Sequence, residues 1–311
     1  MKIGFKNIMV LLALILGGSS CDSFLDVQPK GEVLEGDLLK DAKGFENALY
    51  GVYAKMGSTN LYGQNLSYSA LDLMAQYYTS TNNEEVEPLI KYDYTNTKAE
   101  DLFYNIWCDM YSNIAYANNV LEHLEKFSPA DMQFYNIYKG EALGLRAFMH
   151  FDLLRIFSEQ ITVNESADGI PYSTRFSLFA PDILKSKDVY KRIISDLRSA
   201  EQLLDDEELY ASASSNANFL KDQNIHFNLQ AGQATLARGY LTEGTLDSAL
   251  YYAQQVIQAP GLSLLDYTDI AGDLAAPVLT AGISMVLAGA LMLFVKWEPV
   301  QARIRGKLRL K

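Results

Sequence analysis

The feature that most constrains this chain is the spacing of its apolar side chains, which recur every three or four residues in long stretches between residues 41 and 257. That spacing places the apolar side chains on one face of an α-helix, and each such face has to pack on another element. The predicted helices cover residues 41–56, 100–127, 131–157, 187–204, 227–241 and 246–257. The segments between them, 57–98, 160–186 and 205–218, lack the spacing and are predicted to be long loops, with room for one short strand in the first.

The last two predicted helices share a second pattern. Tyr240, Gly244, Ala249, Ala253 and Pro260 stand at offsets 0, 4, 9, 13 and 20, which resembles a tetratricopeptide repeat with its proline one residue early. Small residues let two antiparallel helices approach closely, and one repeat cannot bury its own faces, so several helix pairs must stack. The predicted fold class is therefore all-α, with tetratricopeptide-like stacked helix pairs and long irregular loops.

Residues 1–20 have the organisation of a secretory signal peptide. Two lysines give a positive start, residues 8–16 are an unbroken apolar run, and small residues follow. The run of nine is too short for a bilayer span, which takes about twenty residues. Cys21 follows at once, which resembles a bacterial lipobox and predicts lipidation of Cys21, with residues 21–40 as a lipid-anchored tether. The alternative is an ordinary signal peptide followed by an incidental cysteine.

Composition excludes several classes of function. Residues 21–295 carry 18 basic and 37 acidic side chains, so this part of the chain repels phosphate backbones and nucleic acid is not an expected partner. Uncharged ligands such as sugars meet no such penalty. The two cysteines leave no internal disulfide once Cys21 is lipidated, and the three histidines lack metal-ligand spacing. With no Gly-rich phosphate loop and no nucleophile motif, the sequence predicts no catalytic residue, no metal and no cofactor.

Four segments form a recognisable set: 21–31 (CDSFLDVQPKG), 107–124 (WCDMYSNIAYANNVLEHL), 141–157 (EALGLRAFMHFDLLRIF) and 224–257 (NIHFNLQAGQATLARGYLTEGTLDSALYYAQQVI). In order and spacing they resemble the SusD/RagB family of nutrient-binding lipoproteins. The third segment follows the family pattern E-A-x-x-L-R-A-x-x-x-F-x-L-x-x-x-F throughout.

This resemblance implies a SusD-like helical domain over residues 41–270 that is shorter than is usual in the family, and therefore incomplete. It implies a tetratricopeptide scaffold facing a SusC-like TonB-dependent transporter, with a loop-rich layer that holds an oligosaccharide. It also implies a lipid anchor in the outer membrane and no enzymatic step. The loops do not match a family ligand motif residue by residue, so no ligand site is carried over.

Tyrosines in the predicted loop 57–98 are candidate sugar-binding residues. Flat aromatic rings bind the C–H faces of sugars, and nearby polar groups bind the hydroxyls. The candidates are Tyr62, Tyr68, Tyr77, Tyr78, Tyr92 and Tyr94. The alternative is that these side chains cap the helical core with their hydroxyls in water.

Four residues of catalytic type, Glu141, Arg146, His150 and Asp152, share one predicted helix. Arg146 and His150 are four residues apart and can face each other, whereas Glu141 and Arg146 are five apart and face each other poorly. Structural pairing is the favoured interpretation. The acids at 205–208 lie in a predicted surface loop, not across a cleft at the separation that glycoside hydrolysis needs.

Residues 275–295 form an uncharged apolar segment, and the residues after it, 296–311, are basic. The length suits a bilayer span and the positive charges suit a cytoplasmic tail, which would retain the protein in the inner membrane. Three alternatives stay open: a joined, truncated or frameshifted gene product with impaired function, a genuine membrane anchor, and a helix buried in the core.

The sequence therefore favours a non-catalytic glycan- or nutrient-binding lipoprotein that works with a SusC-like transporter. A competing hypothesis is a membrane-anchored tetratricopeptide adaptor that binds only proteins. A glycosidase is a third hypothesis, which a hydrolysis assay would test.

Overall fold

The computed structural model describes residues 38–78, 83–205, 218–221, 223–260 and 262. In chain order the elements are α1 (Ala42–Met56), α2 (Ala70–Met74), α3 (Glu87–Ile90), α4 (Thr97–Leu124), α5 (Tyr135–Phe157), β1 (Asp168–Pro171), β2 (Ile183–Lys185), α6 (Ser186–Leu204), α7 (Asn218–Lys221), a 3-10 helix (Gln223–Ile225), α8 (Leu229–Glu243) and α9 (Leu246–Ile257). Helices form nearly all of this regular structure, which confirms the predicted all-α class.

Several predicted features lie outside the described residues. They are the signal peptide 1–20, the lipidation site Cys21 with nearly all of the tether 21–40, the apolar segment 275–295 and the basic tail 296–311. Within the described residues, each helix is too short or too polar to cross a membrane.

Three long helices begin at an Asp or Asn whose side chain accepts a hydrogen bond from a backbone N–H of the first turn. These capping residues are Asp41 for α1, Asn96 for α4 and Asn228 for α8. Each cap satisfies a donor that the helix itself cannot pair, which stabilises a helix by about 1 kcal/mol. Helix α8 ends at Gly244, whose left-handed φ of 88° makes the turn that the repeat pattern predicts.

Helix α5 is buried on all sides and packs against α4, α6 and α8. Apolar residues surround its axis, as expected for a helix that lies inside a helical layer rather than at its surface. Two glycines allow the close packing. A Cβ on Gly140 would lie 2.7 Å from Cγ of Leu204 in α6, and a Cβ on Gly144 would overlap the Phe227 ring.

The predicted start of α5 at residue 131 is wrong. Asp131 instead accepts hydrogen bonds from the backbone N–H and the hydroxyl of Ser128, at 2.8 and 2.7 Å. These bonds close a turn between α4 and α5, so helix α5 begins only at Tyr135. Helix α4 lies three residues nearer the N-terminus than predicted, because Asn96 caps it.

The predicted short strand in segment 57–98 is absent from the described part of that segment, which holds the short helices α2 and α3 instead. The two strands of the structure lie in the predicted loop 160–186. They pair antiparallel, with Asp168 opposite Lys185 and Pro171 opposite Ile183. Helices of four or five residues are too short to show an apolar period, so sequence spacing could not reveal them.

Helices α8 and α9 form the helix pair that the repeat pattern predicts. The rings of Tyr240 and Tyr252 stack with their centroids 5.6 Å apart, and Ala249 is buried in the same interface. Arg198 of α6 donates to the Tyr240 hydroxyl at 2.9 Å, which joins the pair to the preceding helix. Stacking of successive helices is therefore the principle of the fold.

Candidate ligand-binding surface

The six candidate tyrosines separate into buried and exposed groups. Tyr62 and Tyr94 are buried; the Tyr62 ring lies 5.3 Å from that of Phe148, and the Tyr94 ring lies 6.0 Å from that of Phe103. The exposed fractions are 63% for Tyr68, 57% for Tyr77, 52% for Tyr78 and 41% for Tyr92. Only these four present enough ring surface for a sugar to stack on.

Three of the exposed tyrosines, Tyr77, Tyr78 and Tyr92, lie just beyond the ends of α2 and α3. Two crossed hydrogen bonds tie these ends together. The Gln76 side-chain amide donates to the backbone oxygen of Ile90, the last residue of α3, at 2.7 Å. The Tyr92 hydroxyl donates to the backbone oxygen of Met74, the last residue of α2, at 2.8 Å. Each bond satisfies a carbonyl that its own helix leaves unpaired.

Gln76 and Tyr92 both adopt the left-handed backbone conformation, with φ angles of 63° and 52°. For a residue other than glycine this conformation costs about 1 kcal/mol or more, and it persists only where surrounding contacts enforce it. Such strained positions concentrate at ligand-binding and catalytic sites. The junction is therefore a rigid platform that holds the Tyr92 ring in one orientation while leaving part of it exposed.

We call Tyr77, Tyr78 and Tyr92 the tyrosine rim. The Tyr77 backbone N–H donates to the Asp72 carbonyl at 3.1 Å, which fixes the start of the rim against α2. Within the described residues, the hydroxyls of Tyr77 and Tyr78 have no hydrogen-bond partner. These hydroxyls are available to a ligand, whereas the Tyr92 hydroxyl is committed to Met74.

Tyr68 lies outside the rim, on the turn that precedes α2. Its hydroxyl donates to the Gly63 carbonyl at 2.7 Å, so this ring is also held in a fixed orientation. The sequence did not single out Gln76, because a lone glutamine between apolar and aromatic residues carries no recognisable signal.

Glu141 is fully buried and joins three parts of the fold. It accepts hydrogen bonds from the Tyr53 hydroxyl at 2.7 Å and from the Gln223 side-chain amide at 3.1 Å. The same Tyr53 oxygen accepts from the backbone N–H of Phe227 at 2.7 Å. Glu141 of α5 therefore connects α1 to the segment before α8, and it has a structural partner at each oxygen.

The other residues of catalytic type have separate partners. Arg146 donates to Asp196 of α6 at 2.8 Å and to Asn118 of α4 at 3.2 Å. Asp152 accepts from Arg238 of α8 at 2.8 Å and from the Tyr62 hydroxyl at 3.0 Å. Each pair connects α5 to a different neighbour, so the structure supports the interpretation that these charges serve packing.

His150 is fully buried beside α4. Burial lowers its pKa to about 3, although the hydrogen bond to the Arg146 carbonyl favours the charged form. Its Nδ1 lies 2.8 Å from that carbonyl, and its Nε2 lies 3.0 Å from the backbone N–H of Ser173. A neutral ring with its proton on Nδ1 satisfies both contacts, because Nε2 then accepts from Ser173. His150 therefore holds the segment just after β1 in place, through Ser173.

The described residues contain no group of three or more His, Cys, Asp or Glu side chains placed to hold a metal ion. The described residues therefore form a stack of helices whose connecting segments expose tyrosine rings, and hydrogen bonds fix the rings of Tyr68 and Tyr92.

Comparison with known proteins places this arrangement in a family. A family model described as "SusD-like_3: Starch-binding associating with outer membrane" matches residues 23–241. The chain belongs to this SusD-like family.

Known relatives agree with that assignment. The SusD-like protein P38 of Formosa agariphila is 28% identical over 212 residues, which are 64% of this chain and 38% of that protein. A solved SusD superfamily protein of Bacteroides thetaiotaomicron is 25% identical with a TM-score of 0.58, over 74% of this chain and 49% of the other. A laminarin-binding SusD-like protein shares the fold at 20% identity and a TM-score of 0.52, over 76% of this chain and 49% of the other. The matches span less than half the length of each of these three relatives.

Proposed function

We propose that this chain binds a glycan without catalysis, and that the tyrosine rim is its contact surface. The observation that carries the proposal is the α2–α3 junction, where strained backbone and crossed hydrogen bonds hold the exposed Tyr92 ring, and where Tyr77 and Tyr78 are also exposed. A ring held in place before binding loses little conformational entropy when a sugar stacks on it. The family description and the laminarin-binding neighbour support a carbohydrate as the ligand class.

The proposed mechanism divides the work between ring faces and polar groups. The Tyr92 ring offers an apolar face, since its hydroxyl is bonded to Met74. Tyr77 and Tyr78 offer ring faces together with hydroxyls that can exchange hydrogen bonds with sugar hydroxyls. The acids and bases of α5 are buried in packing contacts, which supports a role in binding alone.

The remaining parts of the proposal concern location and partner. We infer that Cys21 is lipidated, that the protein is anchored in the outer membrane, and that it delivers glycan to a SusC-like TonB-dependent transporter. The support is the lipobox-like sequence and the outer-membrane association in the family description. A genuine span at 275–295 would instead favour inner-membrane retention.

Isothermal titration of the purified full chain with oligosaccharides of laminarin and of starch tests the proposal. We expect one of them to bind, and we expect Tyr77→Ala to weaken binding about fivefold because a stacked aromatic face contributes on the order of 1 kcal/mol. Tyr251→Ala is the matched control, because Tyr251 is 56% exposed but lies on α9. A site at the rim would be contradicted if both substitutions weakened oligosaccharide binding equally. It would also be contradicted if Tyr77→Ala left the affinity unchanged.

One observation favours a protein-binding adaptor as the second candidate. The outer face of α9 exposes Leu246, Leu250 and Ile257, with exposed fractions of 64%, 58% and 52%. An apolar face at the edge of a helical stack is where a further helix pair or a protein partner packs. A chain that binds no glycan in the titration, yet captures a helical partner in a way that Leu250→Glu abolishes, would favour this candidate.

A further inference from the structure

The segment that carries the tyrosine rim has an excess of acidic side chains. The described residues of segment 57–98 include five carboxylates and two lysines: Asp72, Glu84, Glu85, Glu87, Asp93, Lys91 and Lys98. Both lysines lie in ion pairs, with Lys91 Nζ 3.5 Å from Glu87 and Lys98 Nζ 3.4 Å from Glu85. The described part of this surface therefore has a net negative charge and no unpaired cation.

Two of the carboxylates adjoin the rim tyrosines. Asp72 lies beside Tyr77, whose backbone N–H donates to its carbonyl. Burial raises the pKa of Asp72, and its side chain has no cation beside it in the described structure. Asp93 follows Tyr92 directly, and its carboxylate is occupied by the backbone N–H and hydroxyl of Thr95. Both acidic residues therefore belong to the same short stretches of chain as the rim tyrosines.

We propose that the tyrosine rim selects uncharged glycans and rejects polymers that carry uronate or sulfate groups. This inference rests on the proposed function, because it concerns the same surface. Recognition of an anionic sugar needs a cation such as an arginine fork or a free lysine, and the rim supplies carboxylates instead. An uncharged glycan meets no such repulsion.

Titration of the full chain with two glycans at low salt tests this selectivity. The probes are laminarin, which is an uncharged glucan, and polygalacturonate, in which each sugar carries a carboxylate. We expect laminarin to bind at least about tenfold more tightly, since one repulsion between unit charges at contact distance is worth roughly a factor of five to ten. We also expect laminarin binding to change little between low and high salt, because it involves no ion pair.

Variants that remove negative charge without changing side-chain volume show whether polygalacturonate is rejected by charge repulsion or by the shape of the surface. Asp72→Asn with Glu84→Gln removes two negative charges and keeps the side-chain volumes, so polygalacturonate binding should improve about threefold or more while laminarin binding changes little. Lys43→Gln on α1 is the control, because it changes a charge outside the segment.

Two outcomes overturn the inference in distinguishable ways. Polygalacturonate that binds as tightly as laminarin, with both lost in Tyr77→Ala, would refute the selectivity and leave the glycan site standing. Failure of laminarin, starch and polygalacturonate alike would refute the glycan site, and the selectivity with it.

Discussion

His150 shows how one buried side chain makes the stability of this fold depend on pH. Its ring is surrounded by Tyr111, Tyr172 and the chain before β2, and its two nitrogens are matched to one acceptor and one donor. A second proton on the ring would meet the Ser173 N–H, so protonation opposes the folded state. Burial of the ring, with a smaller contribution from the charge of Arg146, lowers the pKa of His150 to about 3.

This shift predicts acid destabilisation. The unfolded chain binds a proton near pH 6.5 while the folded chain does so only near pH 3, so the stability from neutral His150 is complete above pH 6.5 and is lost as the pH falls toward 3. We expect the free energy of unfolding in urea to fall by about 1.4 kcal/mol per pH unit in this window from this group.

The measurement is urea unfolding between pH 7 and 4. The variant His150→Gln should lose that part of the slope, whereas His123→Gln on α4 controls for loss of a histidine. If His150→Gln keeps the full slope of the unmodified chain, other groups cause the acid loss and this explanation fails.

Among the secondary-structure elements, the spacing of apolar residues predicted more of the fold than any other feature of the sequence. It located the six long helices among the described residues, because each needs an apolar face, and the residues around the α8–α9 turn indicated a repeat. Spacing could not separate buried from exposed tyrosines, because a loop has no period that assigns a side to each residue. The left-handed Gln76 and Tyr92 were equally hidden, since the conformation usually points to glycine.

The close packing of α5 against its neighbours leaves no room for a larger side chain at Gly144. Gly144→Ala should destabilise the protein by about 1–3 kcal/mol, because the added Cβ overlaps the Phe227 ring. Gly51→Ala in α1 is the matched control: its Cβ would meet no atom within 4 Å, so the change should stabilise by about 0.5–1 kcal/mol. Thermal unfolding of both variants measures the contrast. A neutral Gly144→Ala would mean that α5 does not lie so close to the segment before α8.

Across the whole molecule, Glu141, Arg146 and His150 of α5 are buried, whereas the rings of Tyr77, Tyr78 and Tyr92 near the α2–α3 junction are exposed. Hydrogen bonds of Glu141, Arg146 and Asp152 join α5 to α1, α4, α6 and α8, so that the stacked helices form a rigid scaffold. The junction extends from that scaffold through Tyr62 and Tyr94, which are buried and anchor the segment that carries the exposed rings. Placing a binding surface on connecting segments held by a rigid core is the usual division in repeat proteins.

The decisive measurement is a crystal structure of the full chain with a bound laminarin oligosaccharide. We expect a sugar ring stacked on Tyr77 or Tyr92, with the Gln76–Ile90 and Tyr92–Met74 hydrogen bonds unchanged from the unliganded structure. A sugar bound elsewhere with the rim empty, or a junction whose two hydrogen bonds break on binding, would contradict it.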